Sequence, residues 1–382
     1  MKIGFIAHYN PNDRRAWSGT YSSIIHELRK HHQVDLLFKK LNFFEKEYFL
    51  EQRNWYRWVR KKNLRPDGLR RFSKLASKKL DKLLLNKEYD LLIAPASNQR
   101  FAYSNTTTPI ICIIDATIKN LYGYYKEYSN LPKFNYEQAL EIDRLAYNKA
   151  AFIYCASDWA ADSVIKDFDI SPSKVIVQPF GANLIHEPSP ESLTWTRTDT
   201  CRLLFLGVDW ERKGGAIAVE TLESLNARGF KASLMIIGCT PPEEVQKIPN
   251  VSFIPFLNKN KQDEEHQLIE IIHESDFLLL PTRAECAGIV FCEASAYGLP
   301  IVSTDTGGVS NYVCEGVNGF LLSKDKSGQA YADILVKVFS DQERYSKLRQ
   351  TTRELFLEKL NWHVWADAFG KLAEKAVASR KD

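Results

Sequence analysis

The chain has 382 residues, 45% of them hydrophobic and 26% charged, with a net charge of +4. That length exceeds one ordinary core and suggests two domains. The composition is that of a soluble globular protein, and the small net charge argues against general nucleic-acid affinity unless the charge is locally concentrated.

The N-terminal MKIGFIAHY carries one Lys and a short apolar run, which predicts a first β-strand rather than a signal peptide. No run approaches the length of a membrane span, so a cytoplasmic protein is expected. Short β-branched runs then alternate with longer amphipathic stretches: KIGFIA, QVDLLF, YDLLIAP, PIICIID and AFIYCAS. That alternation is the pattern of a parallel sheet covered by helices. Early in this series WSGTYSSII, residues 17 to 25, places Gly19 at a helix start, where free N–H groups make a candidate phosphate cradle. His8, in IAHYNP, is read as a loop histidine.

Residues 53 to 82 hold twelve Lys or Arg against Asp67 and Asp81, with Trp55, Tyr56 and Trp58 interleaved. The stretch suits an anionic membrane surface, as a lipid-linked acceptor would require, or a solvated face; nucleic acid is not expected. Seven cysteines, at 112, 155, 201, 239, 286, 292 and 314, show no zinc spacing and are read as reduced, mostly buried thiols.

Residues 177 to 200, rich in Pro, Ser and Thr, read as a linker with the boundary near 185. This divides the chain into domains 1–185 and 186–362, with a terminal helix over 363–382 able to pack back on the first. The second domain repeats the pattern through RLLFLG, ASLMIIG, VSFIPF, DFLLLP and PIVST, so two doubly wound domains are predicted.

In PTRAECAGIVFCEASAYGLP, residues 281 to 300, Glu285 and Glu293 bracket seven mostly apolar or small residues. An unpaired buried carboxylate costs several kcal/mol or neutralises itself, so each needs a partner. Ligands of open α/β sheets bind beyond the carboxyl ends of the strands. On that rule Glu285 lies in the loop after DFLLLP, and Glu293 about one and a half turns into the next helix. Gly288 permits close backbone approach. One carboxylate suits a ribose, the other a hexose, and the helix start a phosphate. The alternative is a dipole-favoured Glu293 and a solvated Glu285. FLGVDWERKGG, residues 205 to 215, places Lys213 and Arg212 where cations would face a diphosphate, or else forms an exposed basic loop. TDTGGVSNYV, residues 304 to 313, sets two glycines between a strand and a helix.

Taken together, RAECAGIVFCEASAYGLPIVSTDTGGVSNYVCEGVNGFLL, FLGVDWERKGG, SDWAADSVIKDFDISPSKVIVQPFGAN and WSGT resemble the family 4 glycosyltransferases, retaining enzymes of the GT-B fold. The resemblance covers nearly the whole chain and implies two Rossmann-like doubly wound domains facing a central cleft. It implies that the first domain takes the acceptor, a glycan or lipid-linked hydroxyl, and the second a nucleotide sugar. It implies Glu293 on the ribose, Glu285 on the sugar hydroxyls and Lys213 on the diphosphate. Gly19 and the backbone of Ala287, Gly288 and Ile289 would stand near the phosphates and sugar. Many members carry Arg where this chain has Val208, which leaves Lys213 and Arg212 to stabilise the leaving group.

Asp115, which ends PIICIID just past the strand, either orients the donor sugar or acceptor hydroxyl, or caps the strand end for Thr117 and its neighbours. The implied reaction transfers a glycosyl group with retained configuration, in polysaccharide or glycoconjugate synthesis. No cofactor and no metal are expected: DFD at 167 to 169 has the letters of an Asp-x-Asp metal loop but ends a helical stretch. The rival readings are a degenerate nucleotide-sugar-binding subunit and a GT-B epimerase or phosphorylase.

Overall fold

The computed structural model describes residues 1–11, 13, 16–184, 187–189, 193, 195 and 198–378. The chain divides into two compact units, Met1–Gln178 together with the chain from Trp365 onward, and Pro179–Val364. The expected boundary at 185 and 186 lies outside the described residues.

In the first unit, β1 (Lys2–Ile6), β2 (Gln33–Leu37), β3 (Leu91–Pro95), β4 (Ile110–Ile114), β5 (Phe152–Cys155) and β6 (Val175–Val177) form a parallel sheet in the order β2-β1-β3-β4-β5-β6. Every residue of β3 and β4 is buried, as strands covered on both faces require. The helices are α1 (Thr20–Arg29), α2 (Phe43–Trp58), α3 (Arg70–Leu84), α4 (Asn98–Phe101), α5 (Ile118–Leu121), α6 (Lys133–Lys149) and α7 (Asp158–Phe168). α2 starts at a capping box in which Asn42 and Glu45 each accept the other's backbone N–H.

The second unit contains β7 (Cys201–Leu206), β8 (Ala232–Ile237), β9 (Val251–Ile254), β10 (Phe277–Leu280), β11 (Ile301–Thr304) and β12 (Gly319–Leu322), parallel in the order β12-β11-β10-β7-β8-β9. Its helices are α8 (Gly215–Ala227), α9 (Glu243–Gln246), α10 (Gln262–Glu274), α11 (Ile289–Ala296), α12 (Gly328–Phe339) and α13 (Gln342–Glu358). Strand order reverses between β7 and β10, which are neighbours. The loops after them therefore flank the position where doubly wound sheets hold their ligands.

α14 (Trp362–Ala378) follows. Within the first unit its Trp365 ring lies edge-on to Tyr154 at 5.3 Å, and Tyr154 Oη donates to the Trp365 carbonyl at 3.2 Å.

Each sheet carries a sixth strand that the sequence pattern does not announce. Val177, read as the first linker residue, closes β6, which pairs with β5 from Val175. GFLL forms β12 against β11. Both are short edge strands, too brief to show a period.

Candidate functional site

The loops after β7 and β10 are tied together by their backbones. Arg283 N donates to the Arg212 carbonyl at 2.7 Å, and Thr282 Oγ1 donates to the same oxygen at 3.2 Å. Gly214, the N-cap of α8, has φ 78, and a Cβ there would overlap the Pro281 carbonyl. Only glycine admits both this left-handed conformation and this approach.

Those ties bring two cations to one carboxylate. Lys213 and Glu285 are buried and joined as an ion pair from Lys213 Nζ to Glu285 Oε2. Arg212 Nη1 lies 3.6 Å from the same oxygen and donates to the Ala284 carbonyl at 3.1 Å. Asp209 Oδ1 caps Arg212 N at 3.0 Å, which fixes the turn leading into Lys213. Glu285 is thus neither a solvated loop residue nor a lone charge.

Glu293 lies at the fifth position of α11, buried, and its Oε1 accepts from Lys259 Nζ at 2.6 Å. Lys259 belongs to the loop after β9 and is a site residue that the sequence does not single out. Burial pushes the neighbouring Cys292 thiol well up, and the Glu293 carboxylate adds to that effect, so this cysteine is an inert core residue.

Other expectations are changed in detail. Gly288 is the N-cap of α11, but its close neighbour is the Phe291 ring of the same helix, which a Cβ would overlap. The glycine thus makes room for Phe291. Ile289 N is engaged by the Ala287 carbonyl at 2.9 Å. Gly307 and Gly308 lead into a single 3-10 turn, Val309–Asn311, rather than a helix; Gly308 N donates to the Glu285 carbonyl at 3.1 Å. Val208 is 66% exposed.

In the first unit Gly19 is the N-cap of α1 with φ 90, and the two residues before it are also left-handed, Trp17 at φ 50 and Ser18 at φ 56. Each such non-glycine residue costs about 1–2 kcal/mol, so the turn must be held from outside. Trp17 Nε1 donates to Asp115 Oδ2 at 2.9 Å, and its ring packs on Tyr21 at 5.5 Å between centroids. Asp115 therefore anchors the turn that ends at Gly19. Thr117 itself is the N-cap of α5, in a capping box with Asn120.

His8 is a loop residue, but a largely enclosed one. It lies just past β1, with Nδ1 2.6 Å from Gln99 Nε2, and burial holds its imidazole down to about 4 despite Asp67 nearby. In the DFD stretch, Asp167 accepts from Ser163 Oγ at 2.7 Å within α7 and Asp169 is the left-handed C-cap. Among the described residues no group of three or more His, Cys, Asp or Glu is arranged to hold a metal ion, and no helix is long and apolar enough to cross a membrane.

One feature unites the three helices proposed to face phosphate or sugar. α1, α8 and α11 all begin at glycine, and no side chain caps them. α2, α7 and α13 are capped by Asn42, Ser157 and Asp341, whereas α3, α6, α10 and α12 also start without a side-chain cap, so what sets α1, α8 and α11 apart is the glycine. An uncapped start leaves N–H groups to an anion or to water.

Residues 200–341 match the family described as Glycosyl transferases group 1. The D-inositol 3-phosphate glycosyltransferase of Corynebacterium glutamicum is 24% identical over 231 residues, 56% of this chain and 54% of that one. The chain spans about half or less of the length of the curated relatives it matches. Among solved structures, sucrose-phosphate synthase from Thermosynechococcus elongatus aligns over 99% of both chains at 14% identity with a TM-score of 0.68. HepE from Anabaena, in complex with UDP, aligns over 98% of this chain and all of that one at 16% identity with a TM-score of 0.66. Residues 200–341 thus resemble the glycosyl transferases group 1, within a chain that has the GT-B fold of two Rossmann-like units.

Proposed function

We propose that the protein is a retaining glycosyltransferase that moves a hexosyl or related group from a nucleoside diphosphate sugar to a hydroxyl of a glycan or lipid-linked acceptor, in polysaccharide or glycoconjugate synthesis. The observation that carries the reading is the pair of buried carboxylates, each held by a lysine, beside the reversal point of the second sheet. Two carboxylates there suit a ligand with two sets of hydroxyls, and Lys213 with Arg212 suits the anionic group between them.

In this reading Glu293 accepts from the ribose hydroxyls and Glu285 from the sugar hydroxyls. Lys213, assisted by Arg212, stabilises the charge that grows on the departing diphosphate. Within the second unit the starts of α8 and α11, the latter with the backbone of Ala287 and Gly288, supply further N–H groups. The leaving phosphate takes the acceptor proton on the face from which it departs, so the anomeric configuration is retained without a carboxylate pair at glycosidase spacing. Asp115 acts by holding the turn that ends at Gly19. The mechanism needs no metal. The acceptor is met at an anionic membrane surface through the basic segment 53–82.

Support comes from a neighbour of the same fold, HepE from Anabaena, which has been solved with UDP and glucose. The test is a panel of nucleoside diphosphates screened by thermal shift, followed by transfer from the matching labelled donor and assignment of the product anomer by NMR. Stabilisation by one diphosphate and a product with the donor's anomeric configuration are expected. No stabilisation by any of them, or an inverted product, overturns the reading.

A further inference from the structure

The first unit has a surface that its own fold leaves uncovered. Of the 16 residues of α2, only Phe49 is buried. α3, which continues the same basic segment, buries Phe72, Ser73, Ala76, Ser77 and Leu80 and is an ordinary packed helix. Two of its six cations have carboxylate partners within the fold, Arg70 with Glu141 and Lys79 with Glu45. Arg65, between the two helices, is paired with Asp67. The twelve basic residues are therefore two groups with different surroundings.

The group at the end of α2 is the open one. From 53 to 62 the chain carries Arg53, Arg57, Arg60, Lys61 and Lys62 and no carboxylate. Trp58 is 69% exposed, Val59 61% and Trp55 50%, which is unusual for large apolar side chains beside so much charge. The segment is built rather than loose. Lys61 turns the chain at φ 52, Asn130 Nδ2 donates to its carbonyl at 2.7 Å, and Asn63 Nδ2 donates to the Ser129 carbonyl at 2.8 Å.

Beside it, the start of α6 completes an open groove of about 730 Å³. Tyr56 and Phe134, with ring centroids 5.7 Å apart, form its apolar side. Arg60, Lys62 and Lys133 bring three cations to it against the single carboxylate of Glu137. Lys62 is steadied by its bond to Asn130 Oδ1 at 2.7 Å. The groove thus pairs apolar walls with an excess of positive charge, next to exposed tryptophans.

We infer that residues 53–62 and the start of α6 form a docking surface for an anionic phospholipid bilayer, with the groove receiving a lipid phosphate. Tryptophan favours the interface between headgroups and acyl chains, and clustered Lys and Arg favour an anionic leaflet. A solvated basic face has no use for exposed tryptophans, and an apolar protein partner has no use for five uncompensated cations. This inference rests on the membrane reading of residues 53–82 and narrows it to one side of that segment.

The test is cosedimentation of the full chain with vesicles of phosphatidylglycerol and phosphatidylcholine, against vesicles of phosphatidylcholine alone. The wild type should bind the anionic vesicles. Arg60→Ala/Lys62→Ala/Lys133→Ala should weaken that binding by roughly a hundredfold, on the scale of three surface cations near anionic lipid. Trp55→Ala/Trp58→Ala should weaken it while leaving the dependence on phosphatidylglycerol in place. Lys74→Ala/Lys78→Ala/Lys82→Ala, which removes three exposed cations from α3, should leave it nearly unchanged. Circular dichroism confirms that each variant is folded. If the α3 variant loses as much binding as the groove variant, the inference is overturned and the broader membrane reading stands. If the wild type ignores anionic vesicles, both are overturned.

Discussion

Lys213→Ala separates a catalytic cation from a structural one. The ammonium is buried on Glu285 Oε2, but Arg212 Nη1 stands 3.6 Å from the same oxygen. Removing one partner of a buried pair costs about 3–5 kcal/mol when the other charge is left uncompensated. Here Arg212 remains, so the loss of stability should be smaller, about 1–2 kcal/mol. The loss of rate should be larger in proportion, since removing one preorganised stabiliser of developing charge costs about 10²–10³ in turnover. Binding of the intact donor should suffer much less, because the diphosphate gains its extra charge only as the bond breaks. Val208→Arg on the Lys213→Ala background should recover part of the rate. At 66% exposure the site accepts the longer side chain without overpacking. The assay is single-turnover transfer with saturating donor. An unimpaired rate in Lys213→Ala would remove this lysine from the mechanism and leave Arg212 as the candidate.

Glu293→Ala should weaken binding of the free nucleoside diphosphate by calorimetry, whereas Glu285→Ala should leave that affinity nearly unchanged and lower turnover; equal losses of affinity would contradict the assignment. Lys259→Met and Glu293→Gln should be coupled in diphosphate affinity by about 1 kcal/mol in a double-mutant cycle, and strict additivity would show that Lys259 does not position the carboxylate. The His8 imidazole sits at about 4 in the folded chain against an ordinary 6.5. Its folded value is depressed, so the unfolded chain binds the extra proton first, and stability falls as the pH drops from 6.5 towards 4, by up to about 3 kcal/mol. His8→Gln should flatten that part of the pH profile in chemical denaturation, and an unchanged slope would assign it to other groups.

The sequence disclosed what burial dictates and concealed what folding brings together. β3, β4 and β10 are legible because a strand covered on both faces must be an apolar run. β6 and β12, three and four residues at sheet edges, carry no such requirement. Glu285 and Glu293 stand out because a carboxylate in an apolar run demands a partner, yet nothing in the run names the partner. Lys259 lies in LNKNKQDEEH, where Lys261 looks the same; the structure gives Lys261 to Glu264 three residues away and Lys259 to Glu293 across the unit. His8 was hidden for the same reason, since Gln99, which binds it, is 91 residues distant. The basic run of 53 to 82 looked uniform because its division depends on Glu45 and Glu141, outside the run.

The two lysine–carboxylate pairs are not equivalent, and the difference bears on their roles. A buried ion pair is a weak device for stability, since apolar residues of the same volume often serve a core as well. Keeping two of them beside the reversal point of one sheet therefore calls for a reason other than the fold. At Glu285 two cations approach a single oxygen, so the Lys213 ammonium can turn towards a diphosphate while Arg212 continues to compensate the carboxylate. At Glu293 the contact is one lysine on one oxygen, Oε1, reached from a loop. A ribose diol can join or replace that contact without disturbing α11, whose buried residues Phe291, Cys292 and Ala294 hold the glutamate in place. The first arrangement suits a cation that must follow charge as it moves, and the second a carboxylate that must stay still.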